Sequence, residues 1–105
     1  MALLIRPAGA FNEQNSSLIQ KKLQKTLASR SEHCCVIDLA TIDSINNHGL
    51  ITLVALRRIA NSNGCKLYLM NLNDPVKYCL ELTGLDRIFE VKQRVRNRNY
   101  AKIAS

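Results

Sequence analysis

Cys34-Cys35-Val36-Ile37-Asp38-Leu39 is a short, continuous apolar run with β-branched residues at its centre and a single carboxylate near its end. A run of this length that does not alternate with polar residues has the pattern of a central strand covered on both faces. The neighbouring segments fit that reading. Residues 40–47 are rich in Ser, Asn and Asp and read as a loop, after which Gly49 opens a helix over 49–61. Leu50, Ile51, Leu53, Val54, Ala55, Leu56, Ile59 and Ala60 make that helix apolar over much of its circumference, so it is expected to be well buried. Arg57 and Arg58 crowd its end, where cations suit the negative end of the helix dipole, and Asn63-Gly64 is a stop signal.

Working outward, residues 3–8 read as a short strand with Pro7 at its end, followed by a turn at Gly9 and Asn12. A helix is predicted over 15–29, capped by Asn15, Ser16 or Ser17, with Leu18, Ile19, Leu23, Thr26 and Leu27 facing inward. Residues 30–33 form a polar connector. On the other side, 65–70 read as a strand. Asp74-Pro75 starts a helix over 75–83 with Val76, Cys79, Leu80 and Leu82 inward, and Gly84 stops it. Residues 85–87 are a turn and 88–91 a last short strand. The order β-α-β-α-β-α-β predicts an α/β domain with a mainly parallel sheet and right-handed crossovers.

At 105 residues the chain fits one domain, too small to spend much of its core on an enclosed substrate cavity. The net charge is +7, and Lys92, Arg94, Arg96, Arg98 and Lys102 supply five of those charges, leaving about +2 on the rest. The expected organisation is therefore a domain over 1–91 and a basic tail over 92–105. Such a tail is either a solvated terminus or a contact for nucleic acid, anionic lipid or an acidic protein face. No apolar run is long enough to span a bilayer, and the start lacks a signal-peptide pattern, so a cytoplasmic location is expected. Cys34, Cys35, Cys65 and Cys79 form no CxxC pair and have no zinc-ligand spacing towards His33 or His48. They read as reduced thiols used as small apolar residues, and no metal or cofactor is expected.

Four segments, Val36-Ile37-Asp38-Leu39, Asn46-Asn47-His48-Gly49-Leu50, Asn63-Gly64-Cys65-Lys66-Leu67-Tyr68-Leu69 and Leu82-Thr83-Gly84-Leu85, occur in an order and at spacings that resemble a STAS domain. That is the domain of bacterial anti-sigma-factor antagonists, stressosome proteins and the cytoplasmic ends of some anion transporters. The resemblance runs from about Leu3 to Val91. It implies a single STAS-like domain, a bacterial origin and a role in transcription regulation through protein–protein interaction. Several family proteins carry an extra first strand paired with the next as a hairpin. Its expected lack here leaves the edge strand 3–8 open to pairing with a second copy.

In the antagonists the loop before the second helix carries a serine that a partner kinase phosphorylates. The family spacing from Leu39 places the motif on Asn46-Asn47-His48-Gly49, so that Asn46 matches the usual Asp, Asn47 the phosphorylated Ser and His48 the next Ser. Asn47 has no hydroxyl, so no phosphorylation is expected there, and its neutral amide resembles the unmodified serine, the form that binds the anti-sigma kinase. The alternative is a displaced Asp43-Ser44 motif, which needs an insertion before Gly49. His48 is either a pH-sensitive group at a helix start or a plain polar loop residue.

The partner-binding surface is expected to comprise Ser44, Asn46, Asn47, His48, Gly49, Thr52 and Arg57, with Arg58 beside them. Thr52 either contacts a partner or only faces solvent. No Gly-x-Ser-x-Gly, Walker or His-x-x-Glu-His motif is present, so no enzyme activity is expected. The implied function is a non-catalytic regulator docking an anti-sigma factor or kinase-like protein. The alternative is a STAS subunit of a membrane transport or lipid-transport assembly, docking by loop 43–48 and the basic tail. A nucleic-acid role through the tail is less favoured, because only Tyr100 accompanies its charges.

Overall fold

A computed structural model describes residues 2–7, 9–11, 13–29, 34–92 and 100–104. Asn12, the connector 30–33 and Arg94, Arg96 and Arg98 lie outside the described residues. The strands are β1 (Ala2–Arg6), β2 (Gly9–Phe11), β3 (Cys34–Asp38), β4 (Ile42–Ile45), β5 (Lys66–Met70), β6 (Glu90–Lys92) and β7 (Tyr100–Ala104). The helices are α1 (Glu13–Ser29), α2 (Asn47–Ser62) and α3 (Asp74–Thr83), with a 3-10 turn over Leu85–Arg87.

The main sheet is five-stranded and parallel, in the order β6-β5-β3-β1-β7. β3 lies at its centre, which explains the continuous apolar run: Cys35 and Ile37 join the cluster formed with α1, α2 and α3, while Val36 packs with Leu4, Met70 and Tyr68 in a second cluster. Side chains alternate across a strand, so only a strand with both faces covered needs apolar residues at every position.

Several expectations are corrected. Residues 9–11 and 42–45, read as turn and loop, form a separate two-stranded parallel ladder with Gly9 opposite Ile42 and Phe11 opposite Ile45. β1 is an interior strand, because β7, drawn from the stretch expected to be a tail, pairs along it from Ala2–Tyr100 to Arg6–Ala104. The edge expected to await a second copy is thus occupied within the chain. Ser16 lies inside α1 rather than capping it, and Asn73, not Asp74, caps α3 through Val76 N–H. Leu18 and Leu82, expected inside, are 51% and 67% exposed. The elements that ride on β3 do bury what their spacing promises: Ile19, Leu23 and Leu27 on α1, Leu53, Leu56 and Ala60 on α2, Val76 and Leu80 on α3. Fully burying each leucine or isoleucine stabilises the fold by about 1.5–3 kcal/mol of transfer free energy.

The C-terminal ends of β1, β3 and β5 are tied by one carboxylate. Asp38 is only 2% exposed, and it accepts from Arg6 Nε (3.0 Å), Asn71 Nδ2 (3.0 Å) and the Ala40 N–H (3.0 Å). Asn71 sits at φ +59°, in the left-handed region that Asn tolerates better than most residues, and that turn aims its amide at Asp38. Burial alone pushes the Asp38 carboxyl up, but the three hydrogen bonds and the Arg6 charge outweigh it and hold it below the ordinary carboxylate value.

Candidate docking site at the start of helix α2

The segment between β3 and α2 is anchored at each step. Thr41 Oγ1 donates to Pro7 O (2.6 Å), Asn73 Nδ2 donates to Ile42 O (2.6 Å), and the β2 ladder holds residues 42–45. The chain thus reaches α2 on a fixed path. Asn46 then caps the helix: its backbone is extended at φ −108°, and its Oδ1 accepts the Gly49 N–H at 2.9 Å. Asparagine suits this position because its side-chain oxygen meets an N–H that has no intrahelical partner.

The first turn is fixed from beneath as well. Thr52 is 1% exposed and its hydroxyl donates to the His48 carbonyl at 2.7 Å. That bond uses its single proton, so Ser16, hydrogen-bonded to Thr52 Oγ1, is the donor to it, and Ser16 in turn accepts from Gln20 Nε2 at 3.1 Å. A directed chain therefore runs from Gln20 through Ser16 and Thr52 to the backbone of the capped turn. Thr52, expected on the outward surface, is in this way corrected to a buried positioning residue. Gly49 is likewise buried and contributes its N–H to the cap rather than a docking contact.

Ser44, Asn46, Asn47 and His48 are exposed and brought together at one end of the domain. Beside them a groove of about 440 Å³ is lined by Asn47, Leu50, Ile51, Val54, Thr83 and Leu85. Ile51 is 64% exposed, so the apolar circumference of α2 extends past its buried face onto the surface. Arg57 is half-buried farther along α2, where it lines a smaller cavity of about 90 Å³ with Asn61, Lys66, Leu67, Ile88 and Glu90. Sequence reasoning missed the groove walls Thr83 and Leu85, because the approach of the end of α3 to α2 is tertiary. The burial of Thr52 did have a signal: Gly49, Thr52, Leu53, Leu56 and Ala60 share one helical face.

Among the described residues no group of three or more His, Cys, Asp or Glu is placed to hold a metal ion, and no helix is long and apolar enough to cross a membrane. Cys35 and Cys65 belong to the core, and burial, with the neighbouring thiols Cys65 and Cys34, pushes the Cys35 thiol far up, as suits an apolar packing residue.

Comparison with known proteins agrees with this architecture. The chain is similar to an anti-sigma F factor antagonist of Paenibacillus polymyxa, 20% identical over 89 residues that cover 85% of this chain and 76% of that one. Its fold is similar to the crystal structure of a candidate anti-sigma factor antagonist of Thermotoga maritima, with a TM-score of 0.77 at 24% identity over 90% of this chain and 80% of that one. It is also similar to the STAS domain of a SulP transporter of Vibrio cholerae, with a TM-score of 0.72 at 15% identity over 90% and 74% of the two chains. The model of the STAS domain matches residues 1–97, nearly the whole of the fold built above, and the chain belongs to the STAS domain family.

Proposed function

We propose that the chain is a non-catalytic protein–protein interaction module, a regulator of the anti-sigma-factor antagonist kind in which Asn47 stands where the phosphorylated serine would. The observation that carries this reading is the division of roles between two neighbours. Asn46 is used up as the helix cap, while Asn47 is exposed at the first turn and borders the apolar groove. A phosphate at that position would add about −1.5 to −2 charges at a helix start and change docking by charge alone. A neutral amide accepts no phosphate and keeps the turn in the charge state of an unmodified serine. The regulator is then permanently competent to bind an anti-sigma factor or kinase-like protein. Ser44, exposed on β4, is the nearby hydroxyl that a kinase would reach instead.

The test is a pull-down from native lysate with wild type and Asn47→Asp, at low and high salt. Recovery of an anti-sigma factor or kinase-like ATPase by wild type, and its loss with the Asp variant, is the expected result. Recovery of the same material by both forms, vanishing at high salt, sinks the reading.

A second reading is a STAS subunit of a membrane transport assembly. The likeness to a SulP transporter domain and the +7 net charge favour it. In that case anionic vesicles bind the chain in a salt-sensitive manner that Asn47→Asp leaves unchanged.

A further inference from the structure

The outward side of α2 carries a stripe that its own fold uses only at Val54, which packs against the core. Asn47, Ile51, Val54, Arg58 and Asn61 succeed one another at intervals of four and three residues, the spacing with which one helix presents a seam to another. Four of the five are exposed and Val54 is half-buried. The stripe has a second wall: Thr83 and Leu85 line the 440 Å³ groove with Asn47, Ile51 and Val54, and Ile88 and Glu90 line the smaller cavity with Asn61 and the neighbouring Arg57. Taken as one trough along α2, the two cavities are apolar where Leu50, Ile51, Val54 and Leu85 meet and basic at Arg57, with Arg58 exposed on the helix beside it but lining neither.

The charges point to what fits. α2 contains no Asp or Glu in any of its 16 residues. Arg57 and Arg58 make no ion pair among the described residues, whereas Lys66 at the same end is matched by Glu90 at 3.0 Å. A second copy of α2 would bring two more arginines and no carboxylate, so self-pairing is opposed by charge. From Ile51 to Arg58 is seven residues, about 10 Å along the helix axis at 1.5 Å per residue.

We propose that this trough binds an amphipathic helical segment of a partner protein, with apolar side chains filling the Leu50–Val54–Leu85 groove and carboxylates about two turns farther along meeting Arg57 and Arg58. The proposal rests on the reading of the chain as an interaction module and names the chemistry of its partner.

The experiment pans a displayed library of random 16-residue helix-forming peptides against the full chain, then measures one enriched synthetic peptide by fluorescence anisotropy. Enriched sequences carry apolar residues at i and i+3 or i+4 and Asp or Glu at i+7 or i+8. Binding of the synthetic peptide weakens about tenfold or more in the Arg57→Glu/Arg58→Glu double variant and, separately, in Ile51→Asp, a step of about 1.4 kcal/mol each. All changed positions are exposed or half-buried, and circular dichroism verifies that the variants stay folded. The proposal is overturned if no peptide is enriched, if enriched peptides carry no acidic preference, or if the arginine reversal leaves the affinity unchanged. The lysate pull-down separates this failure from that of the broader reading. An anti-sigma factor held by wild type and equally by the arginine variant, but lost with Asn47→Asp, keeps the loop and discards the trough.

Discussion

Helix α2 has two sides of opposite character. On one, Thr52, Leu53, Leu56 and Ala60 are at most 1% exposed and every polar atom of the Thr52 side chain is spoken for. On the other, Ile51 is 64% exposed and borders an open groove. Both sides carry large aliphatic residues, so the presence of one does not tell them apart. The difference is which of them the rest of the fold covers. On the covered side each residue is fixed by its neighbours and a substitution is felt as stability. On the open side the fold demands little, and a substitution is felt as binding.

That contrast can be tested by the order of effects. The largest is expected at the centre of the covered side: Leu53→Ala leaves a cavity beneath α2 and destabilises by about 2–5 kcal/mol, read as a shift of the urea midpoint at constant slope. Next is the tie beneath the site. Asp38→Ala strands the Ala40 N–H, the Asn71 amide and the Arg6 guanidinium. Arg6 is partly hydrated, at 39% side-chain exposure, which limits the loss to about 2–3 kcal/mol.

The same carboxylate sets an acid dependence. Its folded-state value lies below the ordinary one, so it contributes stability above about pH 4, and that share is lost as pH falls through the folded-state value. Urea melts at pH 7 and pH 3 are expected to show a smaller difference in Asp38→Ala than in wild type, and an equal difference refutes the assignment.

Thr52→Val keeps the shape but breaks the relay from Ser16 to the His48 carbonyl. It is expected to cost about 1–2 kcal/mol and to speed hydrogen exchange of the amides in the first turn of α2. The smallest effect on stability belongs to the open side, where Ile51→Asp changes it by no more than about 0.5 kcal/mol while weakening peptide binding about tenfold or more. If Ile51→Asp unfolds the chain as Leu53→Ala does, the two sides are not distinct.

Much of the fold could be read from Cys34 to Leu39, because a strand with both faces covered writes its position into every residue. The same holds for the stops at Gly64 and Gly84, both at positive φ, where glycine is free of the strain other residues would meet. The parts that escaped reading depend on partners distant in sequence. β2 has three residues and β4 four, too few for any periodicity, and each is a strand only because the other lies beside it. Leu18 and Leu82 have the right spacing to be core, but α1 and α3 turn them away from the sheet. At the site, the exposure of Asn47 and His48 agrees with their place at the start of a helix. The burial of Thr52 is harder to read because a hydroxyl suggests the surface, although its helical face is apolar.

The pairing of β7 with β1 has a consequence for biosynthesis. A strand made from residues 2–6 receives its neighbour on one side only when residues 100–104 have been synthesised, after every other described strand. Until then the nascent sheet carries a row of unpaired amides and carbonyls beside Leu3, Leu4 and Ile5, so the interval in which the chain is most open to strand exchange with another copy is the last one before its β7 segment emerges.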